Sequence, residues 1–227
     1  MEKVNTQREI LTPMKFLVLT DLHQKTENIP WINSLVDEYS PDALLYLGDV
    51  TDLGTCEQAK DILSSIKGRK IVLPGNCDPR DTPSEISSVA EDLHGKSVEI
   101  GGIYIAGLGG GNISPFNSPF ELTEEEIDAK LRPISRKGML LMTHAPAYDT
   151  LDHIPSGVPV GSKAIRAIID EFKPVLALSG HIHEDYGIKD IGGTICVNPG
   201  PAMDKRAAVI TVTDDQVAVK LIGPEGA

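Results

Sequence analysis

Short apolar runs alternate in the first third of the chain with segments whose apolar residues recur at helical spacing. The runs predict three buried strands, at residues 15–20, 43–48 and 70–74. The segments between them predict two helices, at residues 27–40 and 56–68. The first helix carries Ile32, Leu35 and Val36 on one side, and Gly68 closes the second. This βαβαβ order predicts parallel strands with helices packed on the sheet.

The middle of the chain has a less regular pattern. It predicts four elements, namely a helix at 85–95, a hairpin at 97–110, a Gly/Pro/Ser loop at 109–121 and a helix at 123–131. Gly101 and Gly102 supply the turn of the hairpin. Thr123 and Glu126 form a capping box that begins the last helix.

The remaining pattern starts as βαβ and ends as β alone. It predicts a strand at 138–143, a helix at 160–172 capped by Ser162, and strands at 174–180, 193–198, 206–213 and 216–222. The early part is therefore βαβ and the late part antiparallel β. We expect one domain with two sheets over residues 14–227, preceded by an extension at 1–13 that the core does not need.

Composition fits a soluble globular protein, with 41% hydrophobic and 24% charged residues. The net charge of −12 disfavours binding of long nucleic acids, which depends on Lys and Arg neutralising phosphates. It does not disfavour a small phosphate ester held by metal ions, because bound cations outweigh the local protein charge. Whether the protein forms a homo-oligomer is left open.

The chain has an odd number of cysteines, Cys56, Cys77 and Cys196, and no Cys-x-x-Cys pair. This count fits a reducing compartment and gives no disulfide framework. No run of 18 apolar residues exists and the N-terminus lacks an apolar signal core, so we expect no membrane span and a cytoplasmic location.

Metal-ligating residue types follow five of the predicted strands directly. They are Asp21 and His23, Asp49 and Asp52, Asn76 and Asp78, His144, and His181 and His183. Ligand sites of open α/β sheets lie at the carboxyl ends of the strands, so these side chains are expected at one edge. A single His or Gly-Asp after a strand is more often structural, but four of the six histidines fall at strand ends. His94 and His153 do not fit the pattern.

Carboxylates, imidazoles and an amide suit divalent metals such as Mn²⁺, Fe²⁺, Zn²⁺ or Ni²⁺. Seven ligand-type residues exceed what one ion takes, and two ions sharing a carboxylate would use them all. Two metals about 3.5–4 Å apart form a recognised clamp for phosphate displacement. We therefore expect two divalent ions, with Mn²⁺ as the first candidate.

The ordered set D-x-H, G-D-x-x-D, G-N-x-D, H and G-H-x-H, spanning residues 21–183, resembles the calcineurin-like metallophosphoesterases. The resemblance implies an α/β fold, a four-layer α/β/β/α sandwich of two facing mixed β-sheets flanked by helices. The segments "GLGGGNISPF" and "VGSKAIRAIID" further resemble a prokaryotic branch of small predicted phosphoesterases. The family activity implied is hydrolysis of a small phosphate ester.

Carried over by position, the resemblance implies two ligand sets that share Asp49. The first set is Asp21, His23, Asp49 and His183, and the second is Asp49, Asn76, His144 and His181. A bridging hydroxide would attack phosphorus in line with the leaving oxygen, while Asn76 offsets the growing charge. Asp52 is expected to cap or orient the following turn.

The sequence departs from the family at Cys77, where many members carry a His that acts as general acid or phosphate contact. A neutral thiol is a weak donor, and general-acid help is worth typically about 10²–10⁴-fold. Some prokaryotic members with this G-N-C-D form are phosphodiesterases. Arg80 follows Cys77 by three residues rather than five, so a cysteine-phosphatase loop is not formed and Cys77 is not expected to be the nucleophile.

The site prediction comprises metal, catalytic and substrate-binding residues. The catalytic residues are Asp49, Asn76, Cys77 and Asp78, and the substrate-binding residues are Asn76, His144 and Asn112, the last from the loop that also carries Phe116 and Phe120. The leading function is a metal-dependent phosphodiesterase. A phosphomonoesterase and a scaffold of the same fold that lost turnover are the alternatives.

Overall fold

A computed structural model describes residues 13–213 and 216–224. Five α-helices are present in this part of the chain, α1 (Ile29–Tyr39), α2 (Cys56–Ser65), α3 (Thr82–Glu85), α4 (Glu124–Leu131) and α5 (Lys163–Phe172). None of the helices in these ranges is long and apolar enough to cross a bilayer. The predicted extension at 1–13 lies, apart from Pro13, outside the described residues.

The strands form two six-stranded mixed sheets and one short ladder. The first sheet has the order β14 (Val217–Ile222), β13 (Ala207–Val212), β1 (Met14–Leu19), β2 (Ala43–Tyr46), β3 (Lys70–Val72) and β4 (Glu91–Asp92). The second has the order β11 (Gly187–Ile191), β12 (Thr194–Asn198), β10 (Leu176–Leu178), β9 (Leu140–Thr143), β6 (Ile103–Leu108) and β5 (Lys96–Ile100). The ladder pairs β7 (Gly111–Asn112) with β8 (Glu121–Leu122).

Three hydrophobic cores hold the sheets and helices together. One lies between the two sheets and contains residues of both, such as Phe16, Leu45 and Met142. The second packs β1, β2 and β3 against α1 and α2, and the third packs β6 and β9 against α4 and α5. Three cores between four layers confirm the predicted α/β/β/α sandwich.

Local sequence signals account for the helix ends. Thr123 and Glu126 form the predicted capping box of α4, and the Ser162 hydroxyl accepts from the Ile165 N–H to cap α5. α2 ends at Ser65, however, because Ile66 is extended; Gly68 lies beyond the end and does not close the helix as predicted.

The predicted helix at 85–95 is wrong. The helical part is α3 and a 3-10 turn at Ile86–Ser88, after which Glu91 and Asp92 pair with β3 as an edge strand. Ile86 packs beneath the outer helices whereas Leu93 lies between the sheets. One continuous helix does not reach both layers, so the chain crosses to the sheet.

The prediction of antiparallel β in the late part of the chain is confirmed for β13 and β14, which pair antiparallel with each other, but the early and late parts do not form separate sheets. β13 and β14 return to the first sheet, where β13 pairs antiparallel with β1. β9, α5 and β10 form a parallel βαβ unit inside the second sheet, and β12 pairs parallel with β10. β11, which was not predicted, is a polar edge strand turned back by Gly192 and Gly193. The predicted loop at 109–121 contains β7 and β8.

Candidate metal centre

The five ligand-bearing loops meet at one edge of the sandwich. β1, β2 and β3 run parallel in one sheet, and β9 and β10 run parallel in the other, so their carboxyl ends lie together. Backbone hydrogen bonds tie the loops to one another, from Asp21 N to Gly48 O at 2.9 Å and from Gly180 N to His144 O at 3.0 Å. Both sheets therefore contribute ligands to one cleft.

Asp21, His23 and His183 form one cluster, here called the outer group. His183 Nε2 lies 3.4 Å from Asp21 Oδ1, and His23 Nε2 lies 3.7 Å from the same oxygen. The two Nε2 atoms are 3.4 Å apart. Donors bound at about 2.1 Å to one ion lie roughly 3–3.5 Å from one another, so this spacing fits a shared cation.

Asp49, Asn76, His144 and His181 form the second cluster, here called the inner group. His144 Nε2 lies 2.9 Å from Asn76 Oδ1 and 3.4 Å from Asp49 Oδ2. The ring of His181 is tilted against that of His144, with centroids 5.1 Å apart. Each of the four offers one nitrogen or oxygen of the kind that divalent transition metals bind.

Asp49 connects the two groups. Its Oδ2 lies 3.4 Å from His144 Nε2 in the inner group and 3.7 Å from His23 Nε2 in the outer group. Its other oxygen accepts a hydrogen bond from Cys77 N at 2.8 Å, which fixes the rotation of the carboxylate. The geometry thus makes Asp49 the residue able to bridge two ions.

Strained backbone is concentrated among these ligands. Asp21, His23, Asp49 and His181 all have positive φ, between 47° and 69°. Such conformations cost of order 1–3 kcal/mol each and persist only where the surroundings enforce them. The backbone also packs closely against these ligands at Gly75, where a Cβ would overlap the Asp49 carboxylate. The strained backbone of these loops thus directs the ligand side chains into the cleft.

Charge in the cleft is shared between carboxylates and histidines. Burial would raise the pKa of Asp21 and Asp49, but the neighbouring His183 and His144 hold both pKa values below their usual range. Burial would lower the pKa of His144, yet the Asp49 carboxylate raises it to about 9. Burial and the charge of His144 lower the pKa of His181 to about 4. His144 is therefore the charged imidazole of the inner group near neutral pH.

One buried carboxylate oxygen of the outer group has no hydrogen-bond donor among the described residues. Asp21 Oδ1 is inaccessible to solvent and accepts no hydrogen bond from residues 13–213 or 216–224. A buried carboxylate oxygen without a donor is costly, and a bound metal ion removes that cost. Together with the donor types, this orphaned oxygen shows that the residues present fit a divalent metal.

Asp78 has a different position from the one predicted. Its carboxylate is fully buried and accepts from Val50 N, Thr51 N, Thr51 Oγ1 and Gly75 N, at 2.7 to 3.2 Å. These contacts leave it no free face toward the cleft. Asp78 ties the Asp49 loop to the Asn76 loop and is a positioning residue rather than a catalytic one.

Thr55, and not Asp52, caps the helix α2 that follows, through a capping box with Gln58. Instead Asp52 is exposed, and a carboxylate oxygen lies within 4.8 Å of the Cys77 sulfur and of a His23 nitrogen. Burial and the charges of Asp49, Asp78 and Asp52 raise the pKa of the Cys77 thiol well above its usual value. Cys77 is thus held neutral.

Three further residues considered from the sequence, Asn112, His94 and His153, lie outside the outer and inner groups. Asn112 is half-buried, and its amide donates to Val160 O at 3.0 Å. His94 accepts from Gly109 N at 3.2 Å. His153 forms a separate cluster with Asp152 and Asp185. In that cluster the Asp152 carboxylate accepts three backbone N–H bonds, which explains it as a loop anchor.

Sequence reasoning missed Ser118. Its hydroxyl accepts from Asn76 Nδ2 at 2.9 Å, across a separation of 42 residues. The chain contains two Ser-Pro-Phe triplets four residues apart, and the structure gives them different surroundings. Ser114 donates to Glu121, whereas Ser118 contacts the inner group. No local signal distinguishes the two serines.

The family model for calcineurin-like phosphoesterases matches residues 14–185, which contain all seven predicted ligands. The chain belongs to the calcineurin-like phosphoesterase family. Among curated relatives of this chain, the uncharacterized protein MJ1162 of Methanocaldococcus jannaschii is 38% identical over 197 residues, covering 83% of this chain and 88% of its own. Members of the family bind divalent metals and act on phosphate esters.

Two more distant similarities extend the comparison. A probable glycerophosphodiester phosphodiesterase, GpdQ of Arcobacter nitrofigilis, is 28% identical over 72% of this chain and 64% of its own length. The crystal structure of a dimetal phosphatase from Danio rerio superimposes with a TM-score of 0.67 at 12% identity, covering 95% of this chain and 97% of that one. The latter supports the fold alone.

Proposed function

We propose that this protein is a phosphodiesterase that uses two divalent metal ions to hydrolyse a small phosphate ester. The observation that carries the proposal is the position of Asp49 between the outer and inner groups, within 3.7 Å of a histidine from each. When bound, the two ions supply a nucleophilic water and positive charge at the phosphate. Mn²⁺ is the first candidate metal, with Fe²⁺, Ni²⁺ and Zn²⁺ as alternatives.

Two residues of the inner group, Asn76 and His144, would position the phosphate and hold the inner ion. Asn76 turns its Oδ1 toward His144 and its Nδ2 toward the Cys77 side of the cleft. An amide nitrogen there donates to a phosphate oxygen and supports the charge that grows in the transition state. His144, fixed by a 2.9 Å contact between Nδ1 and Leu47 O, keeps its other nitrogen on the inner group.

The preference for a diester rests on Cys77. The position that donates a proton in many relatives carries a thiol whose pKa is raised, so it gives little help to a poor leaving group. Leaving groups of low pKa need no such help. The curated relative named as a probable glycerophosphodiester phosphodiesterase is consistent with this class.

The test is hydrolysis of a panel of phosphodiesters and monoesters after exhaustive chelation and return of Mn²⁺, Ni²⁺, Zn²⁺ or Mg²⁺. We expect chelation to abolish hydrolysis and Mn²⁺ to restore it, with aryl diesters cleaved faster than alkyl monoesters. His181→Ala should be inactive, whereas His153→Ala, outside the cleft, should match the parent. Activity that survives chelation, or a preference for monoesters, would contradict the proposal.

A further inference from the structure

The orientation of the Asn76 amide is held from outside the ligand set. Its Oδ1 faces His144 Nε2 at 2.9 Å, and its Nδ2 donates to Ser118 Oγ at 2.9 Å. The two ends of an amide have nearly the same shape but opposite hydrogen-bonding roles. A rotation by half a turn would bring N–H groups to the place where the inner group needs an oxygen donor. His144 faces one end of the amide, and the contact at the other end, outside the ligand set, also favours one orientation over the other.

We propose that Ser118 is a positioning residue that keeps Asn76 Oδ1 directed at the inner metal position. The hydroxyl oxygen accepts from the amide nitrogen, while the Ser118 side chain also hydrogen-bonds the Glu121 carboxylate, which accepts only. The hydroxyl proton is therefore directed at Glu121, and exchanging the ends of the amide would set the amide oxygen against a lone pair of the hydroxyl. The proposal rests on the metal-binding part of the function proposed above. It gives the loop between β7 and β8 a role in assembling the inner group.

Ser118 is suited to this role because its own position is fixed. Ser118 N donates to Glu121 Oε1 at 3.1 Å, and Ser114 Oγ donates to the same oxygen at 2.6 Å. The loop is also fastened to the Asn76 segment, since Phe120 N donates to Asn76 O at 3.0 Å. Arg80 closes the junction by donating to the carbonyl oxygens of residues 119 and 121.

Residues that hydrogen-bond a metal ligand commonly influence the affinity of the site for its metal, and their loss typically lowers that affinity about 10–100-fold. We expect Ser118→Ala to weaken one of two Mn²⁺ binding events by about 10-fold or more, namely the event that His144→Ala removes. Ser118→Thr, which keeps the hydroxyl, should bind as the parent does. Ser114→Ala is the matched control, because it loses a bond to Glu121 in the same loop without touching Asn76.

The measurement is calorimetric titration of the metal-free full chain with Mn²⁺, with thermal unfolding to verify the fold. A double-mutant comparison isolates the orientation effect. In an Asn76→Asp background both side-chain oxygens are equivalent ligands, so Ser118→Ala should change Mn²⁺ affinity by less than about 2-fold. If Ser118→Ala unfolds, Ser118→Cys keeps the shape of the side chain with a weak acceptor and serves instead.

An equal loss of Mn²⁺ affinity in the parent and in the Asn76→Asp background would mean that Ser118 supports the loop only, and would overturn the inference. So would unchanged affinity in Ser118→Ala. A chain that shows the expected Mn²⁺ pattern but hydrolyses no phosphate ester would contradict the proposed function and leave this inference standing.

Discussion

The outer and inner groups differ in how firmly the rest of the chain holds their side chains. His144 of the inner group is fully buried, and hydrogen bonds beyond the ligand set hold both its ring and the Asn76 amide. In the outer group the side chain of His183 is 31% exposed and that of His23 is 11% exposed. Their nearest polar partners are other ligands. The inner group is preorganised, whereas a bound cation would complete the outer group.

This difference indicates how the chain stabilises a charged cleft before metal arrives. The inner imidazole pairs with Asp49, and the outer one with Asp21, but only the inner one lies in a place that solvent does not reach. A buried ion pair is costly to break because the remaining charge stays desolvated. Changes in the inner group should therefore affect folding as well as metal binding.

The largest expected effect comes from the residue common to both groups. Asp49→Asn should reduce bound metal from two ions per chain to less than one and lower kcat/KM by at least about 10³-fold, since both ions lose a charged ligand. Asp52→Asn, on the neighbouring exposed position, should keep both ions. Elemental analysis after gel filtration decides this, and equal retention in the two variants would show that Asp49 is not the bridge.

Substitution of one histidine from each group separates binding from folding. His144→Ala and His183→Ala should each lose one ion per chain. In the presence of chelator, His144→Ala should also lower stability by about 3 kcal/mol, because it leaves buried carboxylates without their partner. For a domain of this size that corresponds to roughly 6–12 °C in Tm. His183→Ala should shift Tm by less than about 2 °C. Similar shifts in both variants would contradict the difference between the groups.

Much of the site could be predicted because its ligands follow strands directly. Asp21, Asp49 and His144 each come within a few residues of a buried parallel strand, and parallel strands end at a common edge. That arrangement depends on local pattern and topology, both of which the sequence displays. The same rule failed for Asp78, since residue type and spacing do not tell which way a carboxylate turns.

The parts that could not be predicted depend on distant contacts. Ser118 meets Asn76 across 42 residues, and Glu91 becomes a strand because β3 offers an open edge. β11 carries Lys189 and Asp190 among its five residues, so its pattern is that of a polar loop until β12 pairs with it. In each case the partner, not the local sequence, decides the structure.

Metal binding should also release protons, and the number released provides a smaller test of the difference between the inner and outer groups. The pKa of His144 is raised to about 9 in the metal-free chain, so the imidazole is protonated at pH 7 and must lose its proton to become a ligand. Mn²⁺ affinity should therefore rise with pH up to about 9, by as much as 10-fold per pH unit for this site.

Calorimetry in buffers of different ionisation enthalpy measures the number of protons released. The His144→Ala variant should release fewer protons per ion bound than the parent at pH 7, while His153→Ala should match it. Equal release by all three chains would show that His144 is already neutral before metal binds, contrary to the charge balance inferred for the inner group.

The smallest expected effect is that of Cys77→Ser, which should change kcat/KM for an aryl diester by less than about 5-fold. Cys77 contributes its backbone N–H to Asp49, and serine keeps that bond. A neutral thiol held among Asp49, Asp52 and Asp78 is not a thiolate nucleophile. Loss of diesterase activity by orders of magnitude in Cys77→Ser, with metal content and fold intact, would contradict this.

Cys77→His should have the opposite consequence in the same surroundings. Burial raises the pKa of the thiol and would lower that of an imidazole, but the neighbouring carboxylates of Asp49, Asp78 and Asp52 favour a protonated imidazole. An imidazolium donates to a leaving oxygen as a general acid. Hydrolysis of an alkyl monoester should rise by at least about 10-fold, with little change for an aryl diester whose leaving group needs no proton. Rates on the two substrates, measured at equal metal content, separate these effects. If both rates rise together, residue 77 acts on phosphate binding rather than on proton donation.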